Sequence, residues 1–293
     1  MLNAEEARQI GRLSFGSFAA SPSPSSSGGR VAKARGFGLE FHDFRRYQPG
    51  DDPRCIDWTV YGRLGQLVVR VFRSDAHLRI HLLIDASGSM GIGVPDKLSV
   101  AKKVAAVLCY VAVRRRDAVG VATFDSTIRH HIGPAAGRPQ LLRVFEALDA
   151  TAVGGQSAIN RALIDYGAAV RGPGLVVVIS DFFQDGGTFE GLRSLLHRAL
   201  LPAVVQVVAS DELDPGEIDD ELELVDVEDA DAPPLTVDAQ SIVAYRERMA
   251  QLTTDLGEFC ATHGLPWMRV ETSFAFTLLL DACVHAGLLD GQG

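Results

Sequence analysis

A chain of 293 residues, 47% of them hydrophobic, carries enough apolar side chain to bury one large core or two ordinary ones. Its formal charge of −9 is uneven, +4 over the first eighty residues and −13 over the rest, so it lacks the dense basic face of a general nucleic-acid binder. No apolar run approaches the roughly 20 residues of a bilayer span, and no basic segment leads into an apolar stretch at the start, which sets the expectation of a cytoplasmic chain without a membrane span.

Residues 1–20 place Ala4, Ala7, Ile10 and Leu13 at helical spacing, and the Ser/Pro run from Ser21 to Gly29 reads as a flexible loop, so residues 1–30 are expected to be a helix followed by that loop. Over residues 31–75 two stretches of β character, Gly38 to Phe41 and Leu67 to Phe72, flank a turn-rich centre with Pro49, Gly50 and Pro53, which predicts a small β-containing module. From residue 76 to the end the pattern alternates between strand and helix. Strands are expected at Leu78 to Ile84, Ala118 to Phe124, Ile128 to Ile132, Leu175 to Ile179, Ala203 to Ala209 and Trp267 to Glu271. Helices are expected at Lys97 to Arg115, Pro139 to Leu148, Ala158 to Val170, Phe189 to Leu201, Ser241 to Thr262 and Phe274 to Ala286. Uninterrupted β-branched runs such as Leu175 to Ile179 belong to strands covered on both faces, so the fold class predicted is α/β, a doubly wound, mostly parallel six-stranded sheet.

Between the fifth strand and the next helix, Asp211 to Asp231 carries twelve acidic residues and no basic one, yet Leu222, Leu224, Val225 and Val227 interrupt it. Two readings stand: an acidic hairpin inserted at about 211–237, or a solvated acidic loop. The four cysteines, Cys55, Cys109, Cys260 and Cys283, show neither CxxC spacing nor histidines in zinc-finger register and are expected as buried thiols.

The chemistry gathers at strand ends. Leu82-Leu83-Ile84-Asp85-Ala86-Ser87-Gly88-Ser89 puts a carboxylate and two hydroxyls where an apolar strand runs out, and Val178-Ile179-Ser180-Asp181 ends a second buried strand on an acid. Gly154-Gly155-Gln156-Ser157 adds a hydroxyl in a glycine-rich loop between them. In an open α/β sheet this carboxyl edge is where ligands bind. Asp85-x-Ser87-x-Ser89 with a later loop hydroxyl and a later strand-end Asp resembles the metal-ion-dependent adhesion site of von Willebrand A domains. That resemblance implies a von Willebrand A-like fold with the Asp85 and Asp181 strands adjacent, and a metal site of Asp85, Ser87, Ser89, Ser157 and Asp181. Hard oxygen ligands suit Mg2+, with Mn2+ or Ca2+ as alternatives. The serines would ligate directly, the aspartates partly through water, and a client protein's acidic side chain would fill an open position. Two departures from the pattern, Ser157 for the usual threonine and Ala158 for the acid that often follows it, leave a weaker or vestigial metal-free site as the alternative.

The segment Gly38-Leu39-Glu40-Phe41-His42-Asp43-Phe44-Arg45-Arg46-Tyr47-Gln48-Pro49-Gly50-Asp51-Asp52-Pro53-Arg54-Cys55-Ile56-Asp57-Trp58, with Gly62-Arg63 and Leu67-x-Val69-Arg70-x-Phe72 after it, is similar to the hallmark of the bacterial family called domain of unknown function fifty-eight. Its members join this segment to a von Willebrand A domain, and many carry N-terminal membrane helices, so a soluble version is implied here. Its members are typically encoded beside MoxR-type AAA+ ATPases, which implies such an ATPase as partner. Within the segment, Arg45, Arg46 and Arg54 can pair with Asp51, Asp52 or Asp57 around the Pro49-Gly50 turn. The network either fixes the module against the A domain, with Trp58 as an anchor, or forms a docking surface.

These readings converge on a divalent-cation-dependent protein-interaction module, an adaptor for a MoxR-type ATPase in protein maturation or remodelling, and not an enzyme. No GxxxxGK[ST] phosphate loop is present, so nucleotide hydrolysis would belong to the partner. The alternative is a metal-dependent hydrolase or phosphatase using Asp85 or a nearby serine. Ser87 stands where aspartyl phosphotransferases place a second carboxylate, and a serine nucleophile would draw its base from His130, His131, His77 or His81.

Overall fold

Runs such as Leu175 to Ile179, apolar on successive residues, have no face to give to water, and each lies in a sheet sandwiched between helices. The computed structural model of the chain describes residues 6, 9–10, 13–16, 39–47, 56–74, 78–183, 189–213, 222–224, 235–237 and 239–291. Two compact units divide it, Ala20–His77 and a larger one of Met1–Ala19 with Leu78–Gly293.

Strand β1 (Leu13–Phe15) belongs to the larger unit. The smaller unit holds β2 (Leu39–Arg46), helix α1 (Trp58–Leu64) and β3 (Val68–Ser74); β2 and β3 pair antiparallel, with a bulge between Phe41 and Asp43. From Leu78 onward come β4 (Arg79–Asp85), a 3-10 turn at Gly88–Gly91, α2 (Lys97–Arg114), β5 (Ala118–Phe124), β6 (Ile128–Ala135), α3 (Arg138–Ala150) and α4 (Ile159–Ala169). They are followed by β7 (Gly174–Ser180), α5 (Glu190–His197), β8 (Leu200–Val208), the single turn α6 (Ser210–Leu213), β9 (Leu222–Leu224) and β10 (Leu235–Val237). Helix α7 (Ala239–His263), β11 (Trp267–Glu271), α8 (Phe276–His285) and β12 (Leu289–Gly291) close the chain.

Six strands form one sheet in the order β11-β8-β7-β4-β5-β6, parallel throughout except for antiparallel β6 at one edge. Side chains alternate across it. Leu82 and Ile84 pack with α2, α3 and α8, where Val104, Leu108, Val144, Leu148, Leu279 and Cys283 are buried. Leu83, Val176 and Val178 face α4, α5 and α7 through Leu163, Leu192, Leu256 and Phe259. Helices on both faces and a parallel centre make this the doubly wound α/β class that the alternating pattern predicts. Cys109, Cys260 and Cys283 are buried free thiols, and burial pushes each up to about 12.

Three local readings are corrected. Leu13 does not continue a helix from Ile10: it opens β1, which pairs antiparallel with β12, Leu13 opposite Gly291 and Phe15 opposite Leu289. The helix expected to run to Leu201 ends at His197, because Ala199 turns to φ +58 and the apolar run from Leu200 is already strand. Arg45 and Arg46 end β2 rather than lying in a turn-rich centre. Within the 211–237 segment, β9 and β10 pair antiparallel, Leu222 opposite Val237 and Leu224 opposite Leu235. The Ser21 to Gly29 loop, Cys55 and His77 lie outside the described residues.

Candidate metal site

Parallel strands present their carboxyl ends together, so an acid that ends one strand and an acid just past the end of its neighbour arrive at a common edge. β4 and β7 are hydrogen-bonded neighbours, Ile84 opposite Ile179, which sets Asp85 and Asp181 at adjacent strand exits. Both are buried, at 0% and 1% exposure. Asp85 Oδ1 accepts the Ser87 amide at 2.9 Å, an Asx turn that bends the chain back over the strand end. Asp85 Oδ2 accepts the Ser180 hydroxyl at 2.6 Å, and Ser180 Oγ in turn accepts the Phe182 amide at 3.0 Å. Phe182 is buried in the left-handed region at φ +57, where a bulky residue is strained. Asp181 Oδ1 caps the next amide, of Phe183, at 3.0 Å.

Ser87 Oγ and Ser89 Oγ stand 3.2 Å apart. The 154–157 loop is knitted to the same turn, with the Gly154 amide donating to Ala86 O and the Gly88 amide to Gly155 O, both at 2.9 Å. Ser157 follows two residues later, half-buried, just before α4. An Arg129 clamp steadies the loop: the guanidinium pairs with Asp125 and donates to Gly154 O at 2.6 Å. Burial alone would raise the Asp125 carboxyl, but the Thr127 amide and Arg129 outweigh it and hold it below the usual carboxylate range. Gly155, at φ +81, is obligatory there, since a Cβ would collide with Asp125 Oδ2 and come within 2.8 Å of Arg129.

The two acids are met by different partners. Burial, then the charge of Asp181, pushes the Asp85 carboxyl from 3.8 up to about 7, against the opposing bonds from Ser180 and Ser87. Asp181 is met by a lysine that the spacing of motifs did not single out. Lys97 Nζ, buried at the start of α2, donates to Asp181 Oδ2 at 2.8 Å and Glu212 Oε1 at 2.5 Å. Burial works to lower the Lys97 ammonium, but Asp181 and Glu212 prevail and hold it above its ordinary value. Tyr245 of α7 is pushed up to about 12 by its own burial and by Glu212.

The donor set can be tested against a cation. Among the described residues no group of three or more His, Cys, Asp and Glu side chains is placed to hold a metal, so any site here depends on hydroxyls. Adjacent ligands of an octahedral magnesium with bonds of about 2.0–2.1 Å lie roughly 2.9 Å apart, close to the 3.2 Å between the Ser87 and Ser89 hydroxyls. Hydroxyl oxygens and two strand-end carboxylates fit a hard divalent ion, with the Lys97 ammonium already on one of those carboxylates.

Sequence reasoning named Asp85, Ser87, Ser89, Ser157 and Asp181; the structure brings Asp85, Ser87 and Ser89 together directly, Asp181 to the neighbouring strand end, and Ser157 into the adjoining loop. It missed Ser180, Lys97 and Glu212. Ser180 was visible as a hydroxyl beside the strand-end acid, whereas Lys97 reads in sequence like any solvated lysine and Glu212 like one acid of a run. In the smaller unit Asp57 is buried and its Oδ1 accepts the Val60 amide at 3.2 Å, which makes it the N-terminal cap of α1. Trp58 lies on the first turn of that helix, edge-on to Tyr61 at 6.1 Å and 61% exposed. Arg45 and Arg46 lie on β2; Asp51, Asp52 and Arg54 lie outside the described residues. Of the candidate bases, His81 Nδ1 meets the Tyr166 hydroxyl at 2.8 Å, four residues and thus about 13 Å along β4 from Asp85, while His130 and His131 are exposed on edge strand β6.

Among the described residues no helix is long and apolar enough to cross a membrane. Uncharacterized protein Mb1516 of Mycobacterium bovis is 28% identical over 199 residues, 66% of this chain and 60% of its own length. The chain thus spans less than two thirds of the curated relatives it matches. Among solved structures, the conserved hypothetical protein BatB from Bacteroides thetaiotaomicron aligns with a TM-score of 0.44 and 14% identity, covering 71% of this chain and 98% of that one. A von Willebrand factor type A protein from Catenulispora acidiphila aligns with a TM-score of 0.40 and 13% identity over 76% of this chain and 44% of that one. The model of the family described as "Protein of unknown function DUF58" matches residues 43–257, most of the chain, and this protein belongs to that family.

Proposed function

We propose that the chain is a divalent-cation-dependent protein-interaction module. The observation that carries this reading is the pairing of two buried carboxylates, Asp85 and Asp181, at adjacent strand exits beside the Ser87 and Ser89 hydroxyls. In this reading Ser87, Ser89 and Ser157 ligate the ion, a magnesium by the hardness of the donors, and Asp85 and Asp181 balance its charge, partly through water. The ion would supply a Lewis-acidic position for an acidic side chain of a client protein. The chain's own part is to hold its hydroxyls at ligand spacing, fix the carboxylates at adjacent strand ends and keep the loop in register through Arg129 and Gly155.

The partner proposed is a MoxR-type AAA+ ATPase, with this chain as the adaptor that brings it a client for maturation or remodelling in the cytoplasm. Support for the ATPase comes from the family's resemblance, and no nucleotide-binding phosphate loop exists in this chain to do that work itself. The test is recovery of the ATPase and client on the immobilised full chain with magnesium or with chelator, alongside Asp85→Ala. Cation-dependent recovery, lost in Asp85→Ala, is expected; equal recovery in all three would remove the ion from the function. Turnover of phosphoester or acyl substrates that Asp85→Ala and Ser87→Ala both abolish would establish the hydrolase instead.

A further inference from the structure

A lysine that is 1% exposed has given up its hydration and stays charged only through its partners. Lys97 has two, Asp181 at 2.8 Å and Glu212 at 2.5 Å, and neither is free to follow it elsewhere. Asp181 is held by the Phe183 amide, and Glu212 by its second oxygen, which accepts the Ala209 amide at 2.9 Å at the end of β8. Among the described residues no such cation lies on the oxygens of Asp85, which face the Ser87 amide and the Ser180 hydroxyl. With all three carboxyls ionised, Asp85, Asp181 and Glu212 exceed the single charge of Lys97 by two, the complement of one doubly charged ion. Yet one of the two strand-end carboxylates is already engaged.

We propose that Lys97 sets the cation affinity of this site: its ammonium is a resident counter-ion on Asp181, and a divalent ion must share that carboxylate with it. The inference rests on the reading that Asp85, Ser87, Ser89 and Asp181 hold a cation. Lys97 is a positioning and affinity-setting residue rather than a ligand, since an ammonium has no lone pair to give a metal. Its presence keeps the site weak, so that occupancy responds to ambient cation and to a partner's carboxylate instead of being permanent. Glu212 acts the other way. By taking part of the ammonium's charge, it leaves Asp181 more available, and Glu212 sits at the head of the acidic 211–231 stretch.

The test is Mn2+ binding to the full chain, followed by loss of the free-ion paramagnetic resonance signal, with no partner present. Lys97→Met keeps the buried stem and removes the charge; about ten-fold tighter binding is expected from the loss of one buried positive charge a few ångströms from the ion. Glu212→Gln is expected to bind several-fold more weakly. Lys103→Met, on the same helix but 43% exposed and paired with Glu6, is expected to stay within about two-fold of wild type because solvent screens it. Unchanged or weaker binding by folded Lys97→Met overturns the inference while wild-type binding leaves the site reading intact. Should Lys97→Met fail to fold, unchanged affinity in Glu212→Gln overturns it. No binding by wild type or by either variant at millimolar Mn2+ overturns the site reading itself, and this inference with it.

Discussion

Replacing Asp85 with asparagine isolates the electrostatic cost of the cation site in the metal-free protein. Burial and the charge of Asp181 raise the Asp85 carboxyl from 3.8 to about 7. At about 1.4 kcal/mol per unit, ionising Asp85 is then on the order of 4 kcal/mol harder in the folded chain than in the unfolded one. The folded value lies above the unfolded value, so this group favours folding fully below about pH 4, and its contribution is lost as the pH rises through 7. Above that pH the wild type carries the whole cost and asparagine carries none. Asparagine keeps an oxygen for the Ser87 amide and offers Ser180 a donor, at a loss of about 1–2 kcal/mol for the charge-assisted bonds it replaces. The expected result is that Asp85→Asn stabilises the chelated protein by about 2 kcal/mol at pH 8, and that this gain shrinks or reverses near pH 5. Urea denaturation at the two pH values, with chelator present, measures it. Destabilisation by the same amount at both would refute the claim that Asp85 is held as a charge-frustrated acid.

Three further outcomes follow from the same geometry. Gly155→Ala, forced into a positive φ and against Asp125, is expected to cost about 1–3 kcal/mol in thermal or denaturant unfolding and to weaken Mn2+ binding by displacing the loop that carries Ser157. Arg129→Met cuts the clamp on Asp125 and Gly154 O at a half-exposed position, so a loss of cation affinity with a stability change of about 1 kcal/mol or less is expected; calorimetric titration and melting curves separate the two. His81, lowered to about 4 by burial, then by Arg79 and His131, is neutral in the folded protein. Its folded value lies below the unfolded 6.5, so the stability it contributes is present above pH 6.5 and is lost as the pH falls toward 4, by up to about 3 kcal/mol. That slope opposes the one from Asp85, and His81→Gln should remove it in denaturation measured between pH 4.5 and 7.

The centre of the sheet was legible because β4, β5, β7 and β8 are buried on both faces and therefore written as largely apolar runs. Asp85 and Asp181 were legible for a related reason: an acid within two residues of the end of such a run marks the strand's carboxyl end. What escaped reading depends on partners remote in sequence. β1 and β12 are three residues each, and nothing in Leu13–Phe15 tells that it will pair with Leu289–Gly291. Leu200 and Leu201 could extend a helix or start a strand, and the left-handed turn at Ala199 decides between them. The role of Lys97 follows from two carboxylates brought to it from 84 and 115 residues away, so its own neighbours in the chain carry no sign of it. Asp57 was readable as a helix cap from its place before Trp58, but the surrounding arginines drew it into an ion-pair reading instead.

Crystals of the full chain grown in manganese, with an anomalous difference map calculated at the metal's absorption edge, address the binding of a divalent ion most directly. A peak about 2.0–2.3 Å from the Ser87 and Ser89 hydroxyls, facing Asp85 and Asp181, is the result this account requires. Saturating manganese with no peak at those strand ends, and Lys97 still bonded to Asp181 as it is now, would contradict it.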